Sequence, residues 1–212
     1  VDILLKAPPE ERIPAPEPPQ TTAELQVKLF GVALLCGVLL WITWPVLFLS
    51  INRFPYHEGL LWNLVRGANL IFHEAGHVVF WPFGRFLMVL GGTILQLLIP
   101  VICLLTFHFK EKDKLGFAFC LWWLGTNLMD VGVYAADARA LRLFLITGGT
   151  GQEVEGHDWE YLLGRLNLLE HDLLIGGTFY LLGKALLVAG LVYLIVQLVE
   201  TSLRLYQRGE VQ

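Results

Sequence analysis

His73-Glu74-Ala75-Gly76-His77 places two histidines four residues apart with a glutamate between them. On a helix, positions i and i+4 share a face, so both imidazoles can reach one metal ion while Glu74 points beside them at a bound water. Zn2+ held this way lowers the pKa of its water towards 7, and the glutamate takes the proton as the water attacks a carbonyl. A catalytic zinc takes three protein ligands and leaves the fourth position for water. The sequence offers Asp130 as the third. Trp123, Asn127, Asp130, Tyr134 and Asp137 recur at offsets of three, four and seven and so line one helix face. His77 stands eight residues before Arg85 and Asp130 seven before Asp137, which predicts a similar depth for both groups. His157 and Asp158 are the reserve ligands, reached if the loop that carries them folds back over the site.

The elements that must position these groups are apolar. Of 212 residues, 55% are hydrophobic and only 16% charged, where a soluble domain carries roughly a quarter. Residues 29–52 and 86–109 contain no charged side chain, and each is long enough to cross a hydrocarbon core of about 30 Å. These patterns exclude a soluble globular enzyme, a disulfide scaffold and a disordered chain. They predict an all-α, polytopic integral membrane protein with five transmembrane helices, at about 24–51, 59–83, 86–109, 115–137 and 173–200. Trp159, Leu162, Leu163, Leu166 and Leu169 add an interfacial helix in the loop before the last span. Glu74, Asp130 and Lys184 then fall at membrane depth, where ionisable groups are costly unless paired or liganded. Lys184 is expected to interrupt the fifth helix and to meet a carboxylate such as Asp137, or a partner subunit.

The flanks are polar. Residues 1–22 form a proline-rich tail, with six of the ten prolines between positions 8 and 19, expected to be extended and held by a partner. Its composition is not that of a signal peptide. Thr21 and Glu24 have capping-box spacing, which starts the helical domain at residue 23 and its metal-site core at residue 60. The domain runs to residue 200, the core to 137, and residues 201–212 form a polar C-terminal tail. A net charge of −4 without a basic cluster argues against nucleic acid. Cys36, Cys103 and Cys120 lie in apolar stretches and read as small hydrophobes. Ser50 and Ser202 are the sole serines and neither sits in a nucleophile elbow, so serine hydrolysis has no nucleophile. The Lys and Arg distribution favours an outward N-terminus and an inward C-terminus.

Over residues 60–137 the chain resembles the site-2-protease family of intramembrane zinc metalloproteases. The His73–His77 pentapeptide resembles that family's first motif. Gly91-Gly92-Thr93-Ile94-Leu95-Gln96 is similar to its small-residue and amide motif, and Asn127-Leu128-Met129-Asp130 to its aspartate motif, although Val131 here follows the aspartate. The resemblance implies zinc held by His73, His77 and Asp130, with Glu74 as general base. It places Gln96 and Asn127 against substrate or against the metal ligands, and implies hydrolysis of membrane protein substrates within or beside the bilayer. An alternative expectation is a non-catalytic structural or assembly subunit that keeps a protease-like core. A haem or di-iron subunit lacks the second set of carboxylates that a di-iron site needs.

Overall fold

The computed structural model describes residues 21–54 and 59–209, so the proline-rich segment 1–20 lies outside the described residues. The chain is all-helical: α1 (Thr22–Leu47), α2 (Leu60–Phe80), α3 (Arg85–Leu105), α4 (Lys114–Ala136), α5 (Asp158–Arg165) and α6 (Asp172–Gly209). Among the described residues, three helical segments are long and apolar enough to cross a membrane: Thr22–Leu47, Arg85–Lys110 and Leu169–Gly209. They mark the chain as a membrane protein. The other two long helices, α2 and α4, do not contain such a stretch.

Each boundary has a local cause. Thr21 caps α1 by accepting from the Glu24 amide while the Glu24 carboxylate accepts from the Thr21 amide, the reciprocal pair expected from the spacing. Pro45 removes a donor near the other end, and α1 stops at Leu47 rather than at residue 51. The carbonyls left open there are met from α6. Lys184 Nζ donates to Leu47 O at 2.9 Å and Leu49 O at 2.6 Å, and the Tyr180 hydroxyl donates to Leu49 O at 3.0 Å. A cation at the C-terminal end of a helix dipole is favourably placed. Lys184 therefore neither interrupts α6 nor pairs with Asp137. With no proline after Asp172, α6 continues to Gly209, through part of the expected C-terminal tail.

α4 runs through the centre and packs antiparallel against α6 along a seam of small residues seven apart. Ala118, Gly125 and Gly132 on α4 meet Gly190, Gly183 and Gly176 on α6. A Cβ at Gly183 would stand 2.6 Å from Gly125 O, and one at Gly176 would stand 2.4 Å from Gly132 O. Backbones this close make van der Waals packing the adhesive between helices, which apolar surface alone cannot supply in lipid. Around this seam Trp122, Met129, Leu187 and Leu194 form the main core with Phe54 and Trp62. A second seam joins α2 to α3, where a Cβ at Gly76 would lie 2.1 Å from Gly91 O. The two helices are linked by a 3-10 turn at Trp81–Phe83 and by Gly84, whose φ of 89° favours glycine.

The helix at 158–165 does not present its apolar face outward. Trp159 and Leu163 pack against Val131, Ala135 and Ala138, beside Phe179 of α6. Gly183→Leu is expected to overpack the α4–α6 seam and destabilise the protein by about 1–3 kcal/mol or more. Gly177→Leu, at a position with open space around it, should leave the melting temperature of the detergent-solubilised protein unchanged.

Candidate metal centre

His73 and His77 lie on the face of α2 that meets α3, and Gly92 makes room for them. A Cβ at position 92 would stand 2.7 Å from His77 Cε1 and 2.8 Å from Nε2 of each histidine. Each ring is fixed from behind. His73 Nδ1 is 3.0 Å from Gln96 Oε1, and His77 Nδ1 is 3.0 Å from the Met88 carbonyl. A carbonyl can only accept, so His77 Nδ1 carries a proton, and Nε2 offers a lone pair when the ring is neutral. Both Nε2 atoms point at one carboxylate oxygen, Asp158 Oδ2, at 2.8 Å from His73 and 3.3 Å from His77. The ligand atoms of His73, Glu74 and His77 also lie within 4.8 Å of one another.

Two imidazole lone pairs and a carboxylate facing one another form a cluster of acceptors. It is stable only with positive charge among them, supplied by a proton or by a metal ion. Neutral imidazoles whose far nitrogens are tied to protein acceptors, together with a carboxylate, are the donor set of a zinc site. The residues therefore fit a divalent metal on the chemistry of their donors. Glu74, partly exposed and lining the same cavity, makes no hydrogen bond to protein among the described residues and is available as a base.

The carboxylate that faces both histidines is Asp158, one of the reserve residues, not Asp130 of α4. Asp130 accepts from Asn69 Nδ2 at 2.7 Å and faces Arg66 Nε at 3.5 Å. Asn69 in turn accepts from Trp123 Nε1 at 2.9 Å. Asn69 precedes His73 by one turn, so Asp130 braces α2 against α4 about 6 Å further along the helix axis. The depth estimate from Arg85 fails because α2 ends at Phe80. His77 is thus three residues from the end of its helix, near the rim, where a loop can reach it. Gln96 stands behind His73. Asn127 is buried, donates to Trp123 O at 2.9 Å and does not line the cavity.

The remaining residues of the α4 face deliver Asp158. The Tyr134 hydroxyl accepts from the Asp158 amide at 3.1 Å, and the Tyr134 ring lies 4.4 Å from His157. His157 caps α5, its Nδ1 accepting from the Glu160 amide, and turns Nε2 towards Asp137 Oδ2 at 3.4 Å. Asp137 also accepts from the Arg142 and Leu143 amides and so holds both ends of the connecting loop. Asp158 is the first residue of α5, where a carboxylate suits the helix dipole. Burial pushes the Asp158 carboxyl up, but the bonds to His73 and His77 outweigh it and hold the group below the ordinary carboxylate range. It is a carboxylate, as a ligand must be, at neutral pH.

The cavity around these groups has a volume of about 820 Å3. It runs along α2 from Asn63 to His77 and is closed on its far side by α4 and the 142–147 segment. The fourteen helical steps from Asn63 to His77 span about 21 Å, room for some six residues of extended chain. No family model matches the sequence, and no curated protein or solved structure matches it.

Asp137 is likewise raised by burial and lowered further by His157 and the Leu143 and Arg142 amides, ending below its ordinary value. A carboxylate depressed in the folded state stabilises at pH above its unfolded value, and that contribution is lost as pH falls through the folded value. Protection of the amides of residues 138–157 against hydrogen exchange should therefore fall once pH drops below roughly 4. Asp137→Asn should raise exchange at neutral pH and remove this pH dependence.

Proposed function

We propose that the protein is an intramembrane zinc metalloprotease, similar in its helical core to the site-2-protease family, with His73, His77 and Asp158 as ligands and Glu74 as general base. The observation that carries this reading is the convergence of both Nε2 atoms and Asp158 Oδ2 with Glu74 alongside. Five helices (α1, α2, α3, α4 and α6) span the bilayer in this reading, with α5 and its loop at the interface over the rim of the site. The N-terminus is outside and the C-terminus inside, following the Lys and Arg distribution.

Zinc held by these ligands supplies a Lewis acid and a water acidified towards neutrality. Glu74, beside that position, would take the proton of a water adding to the peptide carbonyl. The same carboxyl then passes the proton to the amide nitrogen as the C–N bond breaks, leaving a free acid and an amine. The substrate helix must open locally first, since its carbonyls are otherwise engaged within the helix. The length of the cavity along α2 accommodates such an extended stretch. Asp130 and Asn69 hold α2 in register with α4 and so hold the histidines against Gly92.

Protein purified without chelators should contain one zinc per chain. Asp158→Asn should weaken zinc binding by about 10- to 100-fold, comparable to or beyond the loss of a residue that orients a ligand. Asp130→Asn should keep the metal. Glu74→Gln should keep the metal and lower proteolysis of reconstituted membrane substrates by about 100-fold or more. Stoichiometric zinc with no proteolysis by the wild-type protein would instead favour a structural subunit with a metal-bound core.

A further inference from the structure

Tyr134 is placed for more than bracing. Its hydroxyl accepts the Asp158 amide proton, which uses one lone pair and leaves the phenol's own hydrogen to point elsewhere. Among the described residues no acceptor for that hydrogen is present; Thr93 Oγ1, buried on the α3 wall of the same cavity, likewise lacks a partner. Tyr134 lines the cavity, and its ring lies 6.0 Å from the His73 ring in an edge-on arrangement. The phenol thus stands beside His73 and the backbone of Asp158, at the edge of the space where both Nε2 atoms converge. The Asp158 amide bond and the His157 ring hold it in place, so it loses little freedom when it donates.

From this placement we infer that Tyr134 is a catalytic hydrogen-bond donor, its phenol O–H aimed at the carbonyl oxygen of the bound peptide as negative charge develops there. This rests on the hydrolytic reading above. The phenol keeps its proton throughout: water adds to the carbon, Glu74 carries the proton to the leaving nitrogen, and Tyr134 stabilises the oxygen between. Fixed donors facing a developing oxyanion in a site with little water are worth a factor of about 100 to 1,000 in rate. Arg85 does not fill this role, since its guanidinium stacks over Tyr161 at 4.7 Å. Gln96 and the Met88 carbonyl are occupied with the histidines.

The test uses zinc-loaded, detergent-solubilised full-length protein and its Tyr134→Phe variant, titrated calorimetrically with two probes. A phosphonamidate dipeptide presents a tetrahedral anion with oxygen where the phenol would donate. A small alkyl thiol binds the metal and offers no such oxygen. We expect Tyr134→Phe to bind the phosphonamidate about 10-fold or more weakly while thiol affinity and zinc affinity stay at the wild-type values. Equal loss for both probes, or a fall in zinc affinity, would show that Tyr134 only positions Asp158 and would overturn the inference. Unchanged phosphonamidate affinity would overturn it as well and leave the metal site standing. Wild-type protein that holds no zinc would remove the hydrolytic reading itself, and this inference with it.

Discussion

Three acceptors cannot be gathered in a poorly hydrated space unless something positive sits among them. The backbone carbonyl of Met88 forces the proton of His77 onto Nδ1, Gln96 does the same for His73, and Asp158 closes the triangle with a carboxylate oxygen. Unpaired polar groups in such a space are expensive, and charged ones more so. Much of the rest of the molecule can be understood as the framework that holds this triangle. Gly92 leaves the space, Gly76 and Gly91 bring α3 close enough for Met88 and Gln96 to reach, and the α5 cap turns Asp158 inward.

That framework depends on close backbone approach rather than on large apolar side chains. Along α4 and α6 the small residues at intervals of seven bring main chain onto main chain, leaving Tyr134 and Asp137 free to engage the loop from another face of α4. Polar pairs then fix register. Asn69 bridges Trp123 and Asp130, Lys184 closes the end of α1, and Arg139 Nη2 meets Asp172 at 2.6 Å where α6 begins. Each ties a helix end or a helix pair, so the polar residues of the membrane domain serve both the fold and the site.

Much of this was legible in the sequence. The start of α1 was recoverable from the Thr21–Glu24 spacing, and the two histidines with their glutamate were legible from a single pentapeptide. The α4 face was recognisable as polar, but its role was not. Counting from Arg85 treated the Trp81–Phe83 turn as helix and placed His77 too deep, which made Asp130 look level with it. Asp158 lies 81 residues beyond His77, and no periodic pattern announces that a loop returns across the bundle. What stood in the sequence was a histidine and an aspartate at the start of an amphipathic turn, between Gly156 and Trp159. The heptad recurrence of Gly176, Gly183 and Gly190 was equally present but has meaning only beside the matching residues of α4.

X-ray absorption at the zinc edge, recorded on the purified full-length protein and on Asp158→Asn, tests the account at its centre. Zinc is expected to be bound by two imidazole nitrogens at about 2.0–2.1 Å with the remaining positions filled by oxygen. The oxygen shell of the Asp158→Asn variant is expected to change while both imidazoles remain. A sulfur shell, a single imidazole, or a spectrum that Asp158→Asn leaves unaltered but Asp130→Asn changes would contradict the account.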